Sequence, residues 1–141
     1  MTDVPRQQYH DLQRVGAIID GPIDSKPCTH GGVTMRSQLE ADFARHLDSL
    51  GVAWTYEPRV FGRKGSGYLP DFHVSTPGAD YYIEVKPTLA EVPLARTRME
   101  AIWGQCPNAI LLIACAEGCT FWAASLDRPE WESFVDRWKH A

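Results

Sequence analysis

Two carboxylates and a lysine stand close together in "YLPDFHVSTPGADYYIEVKP", residues 68–87, a stretch that otherwise reads as two strands and a turn: Asp71, Glu84 and Lys86. If "TPGA" is the turn, Ser75 pairs with Asp80, His73 with Tyr82, Asp71 with Glu84 and Leu69 with Lys86. Alternation then puts Phe72, Val74, Tyr81, Ile83 and Val85 on one face and Asp71, His73, Tyr82, Glu84 and Lys86 on the other. Opposed residues have Cβ atoms about 5 Å apart, so two like charges there are unfavourable without a neutralising partner. A divalent cation is such a partner, and carboxylates with room for water and a phosphate oxygen are the usual Mg²⁺ ligands. Lys86, one pleat beyond Glu84, projects where an ammonium reaches a scissile phosphate or an attacking water. The chemistry this pattern offers is metal-assisted attack on a phosphodiester.

A fourth charged group comes from the preceding segment. "TMRSQLEADFARHLDSLG" carries Leu39, Phe43, Leu47 and Leu50 on one helical stripe, closed by Gly51. Glu40 lies at the edge of that stripe. Ser37 and Glu40 also fit a capping box, so a metal and the helix N-terminus would compete for this carboxylate.

"VAWTYEPRVF" alternates as a strand and leads into the loop "GRKGSG". Glu57 in "YEP" reads as the outer face of that strand in preference to an acid behind the site. After the hairpin, "LAEVPLARTRMEAIWGQ" is helical from about Pro93, "AILLIACA" is a buried strand and "CTFWAA" a further short one. "DRPEWESFVDRWKH" places Trp131, Phe134, Val135 and Trp138 on one face of a final helix behind Asp127 and Pro129. The expected fold class is α/β, a mixed β-sheet flanked by helices, with residues 1–33 as a loosely attached arm and 34–141 as the domain.

The charge balance limits the partners. A net charge of −4 gives no broad positive field for coating nucleic acid, so any DNA contact must be local. Arg59, Arg63 and Lys64 flank the Gly-rich loop, Arg96 and Arg98 open the next helix, and together they bracket a phosphate backbone beside the acids. His73 shares the acid face as a hydrogen-bonded histidine. Cys28, His30, Cys115 and Cys119 offer zinc-ligand types without a usual paired spacing, so free thiols are expected. The sequence shows neither an apolar run of membrane-spanning length nor a leader, and implies a cytoplasmic chain.

"RSQLEADFARHLDSLGVAWTYEPRVF", "YLPDFHV" and "YIEVKP" together resemble the PD-(D/E)xK nuclease superfamily, over about residues 34–87 and more loosely over the next helix and strand. Within it the chain is similar to small phage and bacterial endonucleases, and to resolvase-like and transposase-end-cleaving nucleases. Pro70-Asp71 matches the first half of the motif and Glu84-Val85-Lys86 the second, behind an acid-bearing helix. The resemblance implies a restriction-endonuclease-like core in αβββαβ order and a metal-dependent endodeoxyribonuclease of a bacterial or phage-infected cell. It implies Asp71, Glu84, the Val85 carbonyl and Glu40 as ligands of Mg²⁺, with Mn²⁺ as a substitute, and Lys86 as the catalytic lysine. DNA is the implied partner, with a homodimer or protein partner open. A structure-specific junction resolvase, and a non-catalytic DNA- or protein-binding module on the same scaffold, are the alternatives.

Overall fold

The structure, a computed structural model, describes residues 27–62 and 67–135. It is a mixed α/β fold in which a six-stranded mixed sheet carries helices on both faces. The chain opens with a hairpin of β1 (Cys28–His30) and β2 (Val33–Met35), followed by α1 (Gln38–Ser49) and β3 (Thr55–Tyr56). Then come β4 (Phe72–Ser75), β5 (Asp80–Lys86), α2 (Val92–Met99), β6 (Ile110–Cys115), β7 (Thr120–Ser125) and β8 (Arg128–Val135). The sheet runs β3-β4-β5-β6-β7-β8, antiparallel at every step except the parallel β5/β6 pair, which α2 connects.

Local chemistry accounts for most element ends. Ser37 caps α1 by accepting the Glu40 N–H, and Gly51 ends it with a φ of 74°, a left-handed conformation that suits glycine. Pro93 sits in the first turn of α2. Thr76 and Ala79 exchange backbone hydrogen bonds across the expected turn, and the ladder pairs Ser75 with Asp80, His73 with Tyr82 and Phe72 with Ile83. The hairpin register is the one that the turn predicts.

Each face of the sheet has its own core. Phe43, Ala44 and Leu47 of α1 pack on Phe72, Val74, Ile83, Val85, Ala114 and Phe121. On the opposite face Val92, Ala95 and Met99 of α2, with Ile102, cover Tyr82, Leu111 and Ile113. The acid-bearing face of β5 is therefore a second interior and not a solvated surface.

Two expectations about local structure change. The proposed strand from Val52 pairs only at Thr55–Tyr56. The proposed final helix is β8, which returns from Ser125↔Arg128 and runs antiparallel to β7, while Trp138 lies outside the described residues. In a helix Trp131 and Phe134 would share a face, but three residues apart in a strand they point to opposite faces. Here each finds an apolar contact on its own side: Trp131 packs with the α2 core, and Phe134, still 47% exposed, stacks on Phe121 with ring centroids 5.6 Å apart. Residues 27–33, assigned from sequence to the arm, include β1 and the Gly31-Gly32 turn, and β1 lies against α1. The remainder of that arm, 1–26, falls outside the described residues. Among the described residues no helix is long and apolar enough to cross a membrane.

Phe72 anchors the α1-side core, with its fully buried ring meeting Phe43, Trp54 and Tyr56 at centroid distances of 5.5, 5.6 and 5.5 Å. Phe72→Ala is expected to cost about 3–5 kcal/mol in urea unfolding. Leu94→Ala, at a position 57% exposed on α2, should stay within about 0.5 kcal/mol. Equal losses at the two positions would contradict this packing.

Candidate active site

Where β4 begins, the ladder gives way to side-chain chemistry. The N–H of Val85 donates to Asp71 Oδ2 at 2.8 Å, so this residue's backbone polar groups face β4. Continuing the register two steps beyond Phe72↔Ile83 places Pro70 opposite Val85. Proline has no N–H, so it cannot give the Val85 carbonyl its ladder hydrogen bond. The Asp71 backbone faces the other way, its carbonyl accepting the Glu57 N–H at 2.7 Å. The Pro-Asp pair thus takes a donor away from the Val85 carbonyl and sets a carboxylate beside it.

Glu84 and Lys86 stand on the α2 side of β5, where Glu84 pairs with Ile113 of β6. Tyr68 OH donates to Glu84 Oε1 at 2.6 Å, and Lys86 Nζ lies 3.2 Å from Oε2. From α1, Glu40 reaches the same end of the sheet. Its Oε1 accepts from Tyr56 OH at 3.2 Å and Ser37 Oγ at 3.3 Å.

The structure adds two charged residues that the motif does not indicate. Arg36, just before the Ser37 cap, places Nη2 3.3 Å from Asp71 Oδ1 and 3.7 Å from Glu40 Oε2, with Nε 3.3 Å from Glu57 Oε2. Glu57, expected on an outer face, is 2% exposed. Its φ of 48° is a left-handed value that few non-glycine residues adopt and that a residue before proline normally avoids. Such backbone strain persists only where the surroundings enforce it, and here the Glu57 N–H is held by Asp71 while its carboxylate meets Arg36.

Four buried carboxylates, Glu40, Glu57, Asp71 and Glu84, therefore face two cations, Arg36 and Lys86. The electrostatic consequences follow from burial. Desolvation, followed by the Glu40 charge, pushes Asp71 well above the usual carboxylate range against the pull of Arg36 and the Val85 N–H. Desolvation and the Asp71 charge raise Glu84 to about 7, although Lys86 and Tyr68 oppose them. Burial alone would lower Lys86, but the Glu84 and Asp71 carboxylates outweigh it and the ammonium is held more firmly than usual.

The other candidates are placed elsewhere. Arg59 lies over the Phe61 ring at 4.3 Å and reaches Cys106 Sγ at 3.0 Å. Arg96 lies over Trp122 and Trp131, on the β7–β8 side of the sheet, away from the acids at β4 and β5. Arg98 is exposed, and Arg63 and Lys64 fall outside the described residues. Among the described residues, Arg59, Arg96 and Arg98 are thus not gathered around the carboxylates. His73 stacks on Tyr82 and bonds Asp80 at 3.1 Å, near the hairpin turn.

Among the described residues no three His, Cys, Asp or Glu side chains are arranged to hold a metal ion, including the Cys28, His30, Cys115 and Cys119 set. The cation found among Asp71, Glu40 and Glu57 is the Arg36 guanidinium. The donor set itself, hard carboxylate oxygens and a carbonyl beside a proline, fits a hard divalent ion. Comparison with family models, curated proteins and solved structures finds no match, so the geometry carries the functional argument.

The raised acids set a pH dependence. Between its ordinary 4.5 and about 7, Glu84 binds more proton in the folded than in the unfolded chain, so stability falls as pH rises through that window. Asp71 acts in the same direction, whereas Asp48 and Asp80, held low, act below pH 4. In EDTA, urea unfolding should show a loss from pH 5 to pH 7.5 to which Glu84 alone contributes up to roughly 1.4 kcal/mol per pH unit. Glu84→Gln should flatten it, and an unchanged slope in that variant would contradict the assignment.

Proposed function

We propose that the chain is a Mg²⁺-dependent endodeoxyribonuclease with a PD-(D/E)xK type of site on a restriction-endonuclease-like core. The observation that carries this reading is the convergence of Asp71, the Val85 backbone, Glu84 and Lys86 at the junction of β4 and β5, with Glu40 supplied by α1. The order α1, β3, β4, β5, α2, β6 supports the core assignment.

Asp71, Glu84, Glu40 and the Val85 carbonyl are the groups that would hold the ion. When bound it supplies Lewis acidity at the phosphodiester and acidifies a nearby water. The protein's own part is positional and electrostatic. Tyr68 and the Val85 N–H fix the Glu84 and Asp71 carboxylates, so that their orientation is set before substrate arrives. Lys86 keeps its proton and stands 25% exposed at the rim, placed to stabilise charge that grows on the phosphate as the new bond forms. A structure-specific junction resolvase is the narrower form of the same reading.

Cleavage of plasmid, linear, single-stranded and branched DNA, each with and without Mg²⁺, tests the reading and separates it from a non-catalytic binding module. Asp71→Ala and Glu84→Ala should abolish cleavage, and Mg²⁺ should raise the melting temperature of the wild type but of neither variant. Mg²⁺-dependent turnover surviving in either would remove the assignment. Lys86→Ala should slow single-turnover cleavage at least about a hundredfold with DNA affinity in a gel shift nearly unchanged. A parallel loss of affinity would make Lys86 a phosphate clamp.

A further inference from the structure

The oxygens of the three acids that would hold the ion are divided in one consistent way. One oxygen of each takes a hydrogen bond from a donor fixed by the fold: the Val85 N–H for Asp71, Tyr68 OH for Glu84 and Tyr56 OH for Glu40. The other oxygen faces a long cationic side chain, Arg36 for Asp71 and Glu40, and Lys86 for Glu84. The fixed donors cannot leave without breaking the sheet or the core. The cationic side chains can.

We propose that Arg36 is the resident counter-ion of this cluster: its Nη2 occupies the Asp71 and Glu40 oxygens that a divalent cation takes, and cation entry turns that end of the guanidinium outward while Nε stays on Glu57. The inference rests on the metal-dependent reading above. Two observations support it. The Arg36 side chain is 46% exposed while its three acids are 7, 2 and 3% exposed, so it enters the cluster from solvent and has a way back. Among the described residues its Nη2 lies against Asp71 and Glu40 of the ligand set, whereas Nε lies against Glu57, which is outside that set.

Arg36 is thus a positioning residue. It keeps the empty site from being forced open by repulsion between Asp71 and Glu40, and it sets a threshold that the ion must exceed. A guanidinium suits this because its planar fork spans several carboxylates at once, which a lysine ammonium does not.

The test is calorimetric titration of Mg²⁺ alone into the full chain, with melting in EDTA, for wild type, Arg36→Gln, Arg36→Lys and Asp71→Asn. Arg36→Gln should melt at a lower temperature in EDTA yet bind Mg²⁺ roughly tenfold more tightly, the gain expected when a competitor seated nine-tenths of the time is removed. Arg36→Lys should fall between it and wild type, and Asp71→Asn should lose binding. A wild type that binds Mg²⁺ and an Arg36→Gln variant that binds it no more tightly would overturn the exchange while leaving the metal reading in place. If Arg36→Gln does not fold, Arg36→Lys decides by the same comparison. Absence of Mg²⁺ binding in wild type and both Arg36 variants would overturn the exchange and the metal reading together.

Discussion

The hydrogen bond from the Val85 N–H to Asp71 Oδ2, 2.8 Å long, is the contact on which the arrangement of the site depends. A regular ladder would have spent that N–H on the backbone of β4. Pro70 interrupts the ladder by lacking its own N–H, and the side chain of the next residue captures the donor. The carboxylate is thereby fixed relative to β5, which also carries Glu84 and Lys86, and the relative placement of all three follows from the sheet. The orientation is inherited from the most ordered part of the molecule, which is where a site requiring precise distances is best built.

The cost falls on the electrostatics. Both faces of the sheet are covered, so carboxylates at the end of β5 are desolvated by the same layers that make the core. A buried charge is tolerated only with partners, and here two cations face four acids, helped by two tyrosine hydroxyls, the Ser37 hydroxyl and the Val85 N–H. The raised Asp71 and Glu84 record the shortfall. Local conflict of this kind, set in an otherwise consistent fold, is where functional sites are expected.

What the sequence made legible was the part governed by local rules. The "TPGA" turn set the hairpin register, and the register paired His73 with Tyr82 and aligned Asp71 toward Glu84. Ser37 and Gly51 bounded α1 and so placed Glu40. The stretch Trp131 to Val135 reads equally as a helix or a strand, because an i, i+3 apolar pair serves a helix face or the two sides of an edge strand with a contact on each, and only tertiary context chooses. Arg36 gives no signal in the sequence because it precedes the cap and its partners, Asp71 and Glu57, are distant along the chain. Glu57 turns inward because its left-handed backbone departs from strand alternation, which would put it on the outer face. A signal for the β1–β2 hairpin was present in Gly31-Gly32, a pair suited to a tight turn with two positive φ values.

The single parallel step of the sheet has a consequence for how the molecule assembles. The β3–β4 and β4–β5 pairings are short in sequence separation, whereas β5 gains β6 only after the chain has crossed over through α2. Contacts of long separation pay their loop-closure entropy before they return anything. In a partly folded chain that has only the hairpins, Glu84 lacks Ile113 and the α2 layer and still has water around it. Docking of β6 is then the step that strips the water away. That step completes the desolvation of Glu84, whose opposition to Asp71 is already present in the β4–β5 hairpin.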